Sequence, residues 1–360
     1  MIETLKVAIV GTGGWAAQHA RIFSRRHDVE LVGIVGRDAG RTAVRAAEFG
    51  ARPFTDIDQM LDATHPDLVT VCLPNEEHFA PTLRLIKRGV PLLVEKPLVF
   101  DLGEADELLA EAADRDLFFA INLNHRFAEP VIRAKAAIDS GHVGDIVFAT
   151  WRFGGEPNFG TSPHANLIET QVHGLDMLEH LCGPIVSVMA QMTDMTRAGT
   201  YTTLAVALEF AHGGVGSLVG SYDSSYAYPG TQFIEVNGTA GRLTIEDTVK
   251  RLTLSTAGDE TMKVWEAGYF NDEARTFEYT FDRHVEHVLS ALRAGAQPPI
   301  HAREGRRALE LAMAIIRSHA EGVRVPTPGH AMEDQRRHRR SLSDAATKGA
   351  SLAVSKELQR

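Results

Sequence analysis

Cysteine is scarce. The chain has two in 360 residues, Cys72 and Cys182, and their spacing suits neither a disulfide framework nor a zinc site. Each sits among apolar neighbours and reads as a small buried hydrophobe. Positive charge is also in short supply: 37 Lys and Arg stand against 47 Asp and Glu, a formal net charge of -10. A binder of phosphate backbones needs a basic footprint, so nucleic acid is not an expected partner, although a small anion held by a local donor cluster is allowed. No apolar run nears the ~20 residues that cross a bilayer, so no membrane is expected either. The N-terminal MIETLKVAIVGTGG lacks the basic start, apolar stretch and small-residue cleavage site of a signal peptide. The expected location is the cytoplasm.

What is present is ordinary globular material, 44% apolar and 23% charged. The length suits two domains better than one. Through the first third, short apolar runs alternate with helical patterns. Strands are read at Leu5 to Val10, Glu30 to Val35, Leu68 to Leu73, Val90 to Val94 and Leu117 to Ile121. Helices are read at Trp15 to Arg26, Arg41 to Phe49, Phe79 to Arg88 and Leu102 to Arg115. Such alternation predicts a parallel sheet covered on both faces.

After about residue 123 the pattern changes. A helix is read at Val131 to Ser140. Period-2 alternation follows, clearest at Leu204, Val206, Leu208 and Phe210 and continued by Ile234 and Val236, Leu243 and Ile245, and Leu252 and Leu254. One buried and one open face are implied, in a mainly antiparallel sheet. An open face needs cover, which makes a homo-oligomer the expectation. Helical patterns return at His284 to Arg293 and Arg303 to Glu321. The fold class expected is an α/β Rossmann domain (residues 1–122) plus an α+β domain with a large, open, mainly antiparallel sheet (123–327). A polar tail, 328–360, follows; its Arg336, Arg337, Arg339 and Arg340 read as a solvated face.

The first strand runs into Gly11-Thr12-Gly13-Gly14-Trp15-Ala16, a G-x-G-x-x-A placed between strand and helix. The first glycine permits the turn, the second lets backbone approach a pyrophosphate, and the small third residue lets helix and strand pack closely. Amides at the helix start then face phosphate. The second strand ends in Ile34-Val35-Gly36-Arg37-Asp38. Gly36 stands where an NAD site usually offers an acid to the ribose hydroxyl, and Arg37 and Arg41 follow. Guanidinium groups suit phosphate, so the cofactor is read as NAD(P), leaning to NADP. In the competing reading Arg37 is solvated and Asp38 serves the ribose.

Val94-Glu95-Lys96-Pro97 closes a strand at its carboxyl end, the edge where open α/β sheets bind ligands. An ammonium there stabilises charge that builds on a substrate oxygen. A second constellation lies on a helix read from Glu169 to Leu181. Glu169, His173, Asp176 and His180 share one face, and Val172, Leu175, Leu178, Leu181 and Cys182 the other. His173 is the candidate general acid/base, with Glu169 and Asp176 as candidates to hold its ring. A solvated polar face would give the same pattern. Glu-x-x-x-His could also carry a metal, but no motif supplies further ligands and none is expected.

With these segments assembled, the chain resembles the Gfo/Idh/MocA family of oxidoreductases up to about residue 325. VGTGGWA, LPNEEH (73–78), VEKP (94–97), NLNHRF (122–127), GHVGDI (141–146), ETQVHGLD (169–176) and EVNGTAGRL (235–243) carry the resemblance by their order and spacing. It implies an enzyme that moves hydride between a nicotinamide and a secondary alcohol of a sugar, inositol or related polyol. It also implies dimers or tetramers formed through the open sheet. By motif, Lys96 is implied to be the catalytic lysine and His173 the second catalytic residue. Glu95, Pro74, Asn75 and His78 are implied at the cofactor, and Asn124 and Arg126 near the active cleft. Many members have aspartate where this chain has Glu169, and paired glycines where it has His164 and Ala165. The loop Gly154 to Asn166 is therefore expected to shape the substrate pocket, with Trp151 before it and His164 within it as candidate contacts. The rival readings are a redox-silent nucleotide-binding regulator, and an enzyme that recycles bound cofactor for elimination or epimerisation at a sugar.

Overall fold

Val7, Ala8, Ile9 and Val10 are all buried, as a strand covered on both faces must be. They lie in β1 (Leu5–Val10). The computed structural model describes residues 4–155, 162–223 and 230–327. The tail from 328, with its arginines, and the middle of the loop between Gly154 and Asn166 lie outside the described residues.

From β1 the chain continues through α1 (Gly14–Ser24), β2 (Val29–Val35), α2 (Ala39–Glu48), β3 (Arg52–Phe54), α3 (Ile57–Thr64), β4 (Leu68–Val71), α4 (Phe79–Lys87), β5 (Leu92–Val94), α5 (Leu102–Ala113) and β6 (Phe119–Ile121). The six strands form a parallel sheet in the order β3-β2-β1-β4-β5-β6. Strand order reverses between β1 and β4, and a doubly wound sheet binds its ligand in the crevice outside that point. The sequence reading missed β3 and α3. β3 is three residues with a proline at its centre, too short to show a period. α3 did carry a signal: Asp56 caps it by accepting the Gln59 amide at 3.0 Å, a capping residue followed three positions later by Gln.

The second region contributes α6 (Glu129–Asp139), β7 (Ile146–Gly154), a π-helical turn at Asn166–Gln171 and α7 (Val172–Cys182). After these come β8 (Ile185–Thr193), β9 (Thr203–Phe210), β10 (Val215–Ser221), β11 (Gln232–Gly238), β12 (Gly241–Glu246), β13 (Arg251–Thr256) and β14 (Met262–Glu266). The chain ends its described course with α8 (Glu278–Arg293), α9 (Ala302–Glu321) and β15 (Val325–Pro326). The nine-stranded sheet runs β14-β13-β12-β11-β7-β10-β9-β8-β15. Its pairs are antiparallel except β10 with β7. Helices α6, α7 and α9 pack on one face. The ladders put Phe148 opposite Val215, Ala205 opposite Val219 and Ala207 opposite Met189 on the other. Phe148, Met189, Val215 and Val219 are exposed there.

The two last helices return to the first sheet. Phe281, Val285, Val288 and Leu289 of α8 share a core with Val7, Ile9, Ala20 and Phe23. One end of α9 lies on β6, where a Cβ on Gly305 would come within 2.2 Å of Ile121 Cδ1. Its other end reaches β8, where Ser318 accepts the Ala190 amide at 2.9 Å. A single helix thus braces both sheets.

Candidate active site

The glycine loop is shaped by what it touches. Gly11 has φ +135°, and a Cβ there would lie 2.1 Å from the Cys72 carbonyl oxygen. Gly13 and Gly14 face the opposite situation: an added Cβ meets nothing within 4 Å. Gly13 is the N-cap of α1, with no side-chain cap on the first amides. Free amides and a helix dipole aimed into open space make an anion site. The space is a cleft of about 450 Å³, walled by Gly11 to Trp15, Gly36, Arg37, Arg41 and Cys72 to Asn75. Ala16 is buried behind the loop, where a small residue lets α1 approach the sheet. Trp15 is half exposed and stacks on Phe281, ring centroids 5.2 Å apart.

At the end of β2 the expected acid is not only missing but excluded. A Cβ on Gly36 would stand 2.5 Å from both Thr12 Cγ2 and Thr42 Oγ1. Asp38 is engaged as the N-cap of α2, accepting the Arg41 amide at 2.7 Å. Arg37 is exposed and pairs with Glu77 at 3.0 Å. Arg37 and Arg41 both line the cleft.

Glu95 and Lys96 follow β5. Glu95 is buried and accepts from the Asn122 amide at 2.6 Å, with His19 Nε2 at 2.8 Å. His284 Nδ1 lies 2.7 Å from the other end of Asn122, extending the network to α8. Burial alone would raise the Glu95 pKa, but His19, Lys96 and Asn122 outweigh it and hold the carboxyl below its ordinary value. The ligand atoms of His19, Cys72 and Glu95 lie within 4.8 Å of one another. The His19–Glu95 contact and a thiol whose pKa burial raises make this a hydrogen-bonded core cluster. Sequence reasoning missed His19, Asn122 and His284, because their partners are distant along the chain.

Lys96 Nζ crosses the gap between the two regions and donates to the Glu169 carbonyl oxygen at 2.8 Å. That carbonyl belongs to the π turn; widened turns of this kind recur at functional sites. Burial lowers the Lys96 pKa against the opposing pull of Glu95 and Glu169. One turn on, His173 is buried, with no partner for Nδ1. Its ring lies flat against that of His125, centroids 4.0 Å apart and planes 10° from parallel. Burial, then His125, then Lys96 push the His173 pKa well below its ordinary value. The structure therefore brings Lys96, Glu169, His173 and His125 together at the carboxyl edge of the first sheet.

The polar face read on α7 is not a solvated one. His173 and Asp176 are both buried. Asp176 does not reach for the imidazole: it takes the Arg126 guanidinium by both oxygens, Nε to Oδ2 at 2.9 Å, and Arg126 also contacts Glu304. Asn124 donates to Thr280 Oγ1 at 2.6 Å. These three residues tie the turn Asn124–Phe127 to helices of the second region. Trp151 sits in the core under α7 with almost no exposed surface, its Nε1 donating to Gln171 Oε1 at 3.0 Å. The indole thus has little to offer a substrate. His78 is buried, with Nδ1 2.7 Å from the Pro97 carbonyl and Nε2 3.1 Å from that of Leu73; it pins two loops of the cleft. His164 stacks on Tyr201, centroids 5.3 Å apart. It lines an adjoining crevice with His78, Phe100, Ile168 and Asn75, the last shared with the glycine-loop cleft. His125 is the site residue that the sequence reading quoted within NLNHRF without singling out.

A strand-turn-helix anion cradle thus lies beside a partly buried lysine and a buried imidazole, with an open sheet behind them. Residues 5–123 match a family model described as "Oxidoreductase family, NAD-binding Rossmann fold", and residues 134–327 one described as "Oxidoreductase family, C-terminal alpha/beta domain". The chain belongs to the Gfo/Idh/MocA oxidoreductase family. It is similar to inositol 2-dehydrogenase of Rhizobium meliloti (strain 1021), 26% identical over 88% of this chain and 98% of that one. D-glucoside 3-dehydrogenase of Escherichia coli (strain K12) is 30% identical over 50% of this chain and 54% of its own. Among solved structures, levoglucosan dehydrogenase in complex with NADH superposes with TM-score 0.83 at 18% identity. That match covers 91% of this chain and all of the other; it speaks for the fold. No helix among the described residues is long and apolar enough to cross a membrane.

Proposed function

We propose that the protein is a sugar, inositol or polyol dehydrogenase that oxidises a secondary alcohol to a ketone, reversibly. The observation that carries this reading is that Lys96 donates to the Glu169 carbonyl one turn before His173, near enough for its charge to lower the imidazole pKa. When bound, the nicotinamide supplies the hydride acceptor or donor. Lys96, held by the Glu169 carbonyl, donates to the carbinol oxygen and stabilises the charge that grows on it. His173, neutral in these surroundings, has a lone pair free to accept the hydroxyl proton.

NADP is the favoured cofactor in this reading. A side chain at position 36 has no room, Asp38 is occupied at a helix cap, and Arg37 and Arg41 flank the same opening. A 2′-phosphate would exchange the Arg37–Glu77 pair for a charge-assisted contact. The uncovered sheet face, apolar at Phe148, Met189, Val215 and Val219, fits burial against a second copy as a homodimer or homotetramer. The two unpaired cysteines and a soluble nucleotide pool suit a cytoplasmic setting.

The test is a panel of inositols, sugars and keto-sugars with NAD and NADP, read by absorbance of the reduced nicotinamide. Sustained reduction by a polyol or aldose supports the reading. Substrate conversion without net reduced cofactor would replace it with a cofactor-recycling elimination or epimerisation. Tighter binding of NAD than of NADP would remove the cofactor preference.

A further inference from the structure

A general base is ordinarily oriented through its second ring nitrogen, which donates to a carboxylate or carbonyl. His173 is not built that way. Its Nδ1 is buried and has no partner, and the acid one turn away, Asp176, is bound to Arg126. What the ring does have is a parallel neighbour. His125 covers one face at 4.0 Å and 10°. His125 is itself braced edge-on by Phe277, centroids 5.2 Å apart at 84°. Gln232 Nε2 approaches His125 Nδ1 at 3.5 Å.

We infer that His125 is a positioning residue of the catalytic imidazole: the stacked ring fixes the plane of His173 and keeps water from it. This inference rests on the assignment of His173 as proton acceptor. The groups around the pair are Lys96 after β5, Glu169 and Asp176 on the helix of His173, Arg126 beside His125, and Glu304 of α9 bound to Arg126. Both ring faces meet in low dielectric close to an ammonium. Two imidazolium rings stacked in this way would repel strongly, so the pair holds one proton at most. Burial and then Lys96 bring the His125 pKa down to about 3. In this reading the proton released by the alcohol goes to His173, and His125 acts by position alone.

The experiment uses the holoenzyme with His125→Phe, His125→Asn and His125→Ala, and measures kcat, KM and the pH profile of kcat/KM. Phenylalanine keeps a flat ring against His173 and should restore most of the activity that the others lose. Alanine and asparagine remove the stack. They should lower kcat by about 10²-fold, the scale of a small misplacement of a reacting group, with little change in KM. The acid limb of their pH profile should move to higher pH as water reaches His173. Nitrogen-15 NMR of the His173 imidazole gives a readout independent of substrate: its midpoint should rise in His125→Asn and stay low in His125→Phe. Equal midpoints in wild type and His125→Asn, or a phenylalanine variant as impaired as alanine, overturn the inference. An active His173→Ala enzyme would instead overturn the assignment of the base, and the NMR midpoints would still decide whether the stack governs the ring.

Discussion

The two sides of the cleft are built by different means. On the β1–α1 side the groups offered to a ligand are mostly backbone. Gly11, Gly13 and Gly14 give a turn that no side chain tolerates at its tight point and none obstructs at its open one. On the α7 side, the Glu169 carbonyl apart, the groups are side chains held by partners far away in sequence. Asp176 is held by Arg126, Trp151 by Gln171 and His173 by His125. A backbone site is encoded in six consecutive residues, whereas a side-chain site needs the whole fold to be in place. The first should fail in binding when altered and the second in chemistry.

The largest expected effect separates the two. His173→Ala should cost about 10²–10⁴-fold in kcat, the usual loss of a positioned acid/base, while the cofactor Kd measured by fluorescence titration stays within a factor of about two. Gly11→Ala is its counterpart. A Cβ pressed on the Cys72 carbonyl from a φ of +135° adds strain of roughly 1–3 kcal/mol, which should weaken cofactor binding by about ten- to a hundredfold. Equal losses of Kd in both variants would erase the distinction.

Next is the ion pair under the catalytic helix. Arg126→Ala leaves Asp176 buried beside Glu304 without its cation, a loss of about 3–5 kcal/mol by the usual cost of breaking a buried pair. Urea denaturation reads it directly. Acid acts on the same side. His125 and His284 are buried neutral, burial being the main cause, and their pKa values fall from 6.5 to about 3. Between these limits the unfolded chain takes up protons that the native state refuses. Stability should therefore fall as pH drops from 6.5 toward 3, by up to about 1.4 kcal/mol per pH unit for each histidine. His284→Phe should flatten that slope; an unchanged slope would show that other groups govern acid unfolding.

The same contrast decides what could be read beforehand. β1, α1, β2 and β4 were legible because burial on both faces writes an uninterrupted apolar run and helices write a 3.6 period. Lys96 and His173 were legible as motif positions. The helix carrying His173 was read as a helix with a face of acids and histidines, but whether that face was solvated or buried could not be read, because periodicity reports spacing and not what packs on each side. The π turn at Asn166–Gln171 also breaks the regular spacing that placed Glu169 over His173. Arg126, Asn124 and Trp151 were read as substrate contacts, since nothing local in the chain announces that Asp176, Thr280 and Gln171 already bind them. His19, Asn122 and His284 could not be linked to Glu95 for the same reason.

The smallest expected effect probes how closely α7 must approach the sheet. Gly174 follows His173 on the helix, and a Cβ there would come within 2.4–2.7 Å of three atoms of the Trp151 indole. The indole is fully enclosed and anchored by Gln171 Oε1 at 3.0 Å, so it cannot swing aside at low cost. Overpacking of this kind costs about 1–3 kcal/mol, against which the better helix propensity of alanine returns only ~1 kcal/mol. Gly174→Ala should therefore lower stability by a net 0–2 kcal/mol, roughly. The accompanying shift of α7 should depress kcat more than it weakens cofactor binding. If cofactor Kd rises while kcat is spared, the helix positions the nucleotide rather than the base, and the division between the two walls of the cleft is drawn in the wrong place.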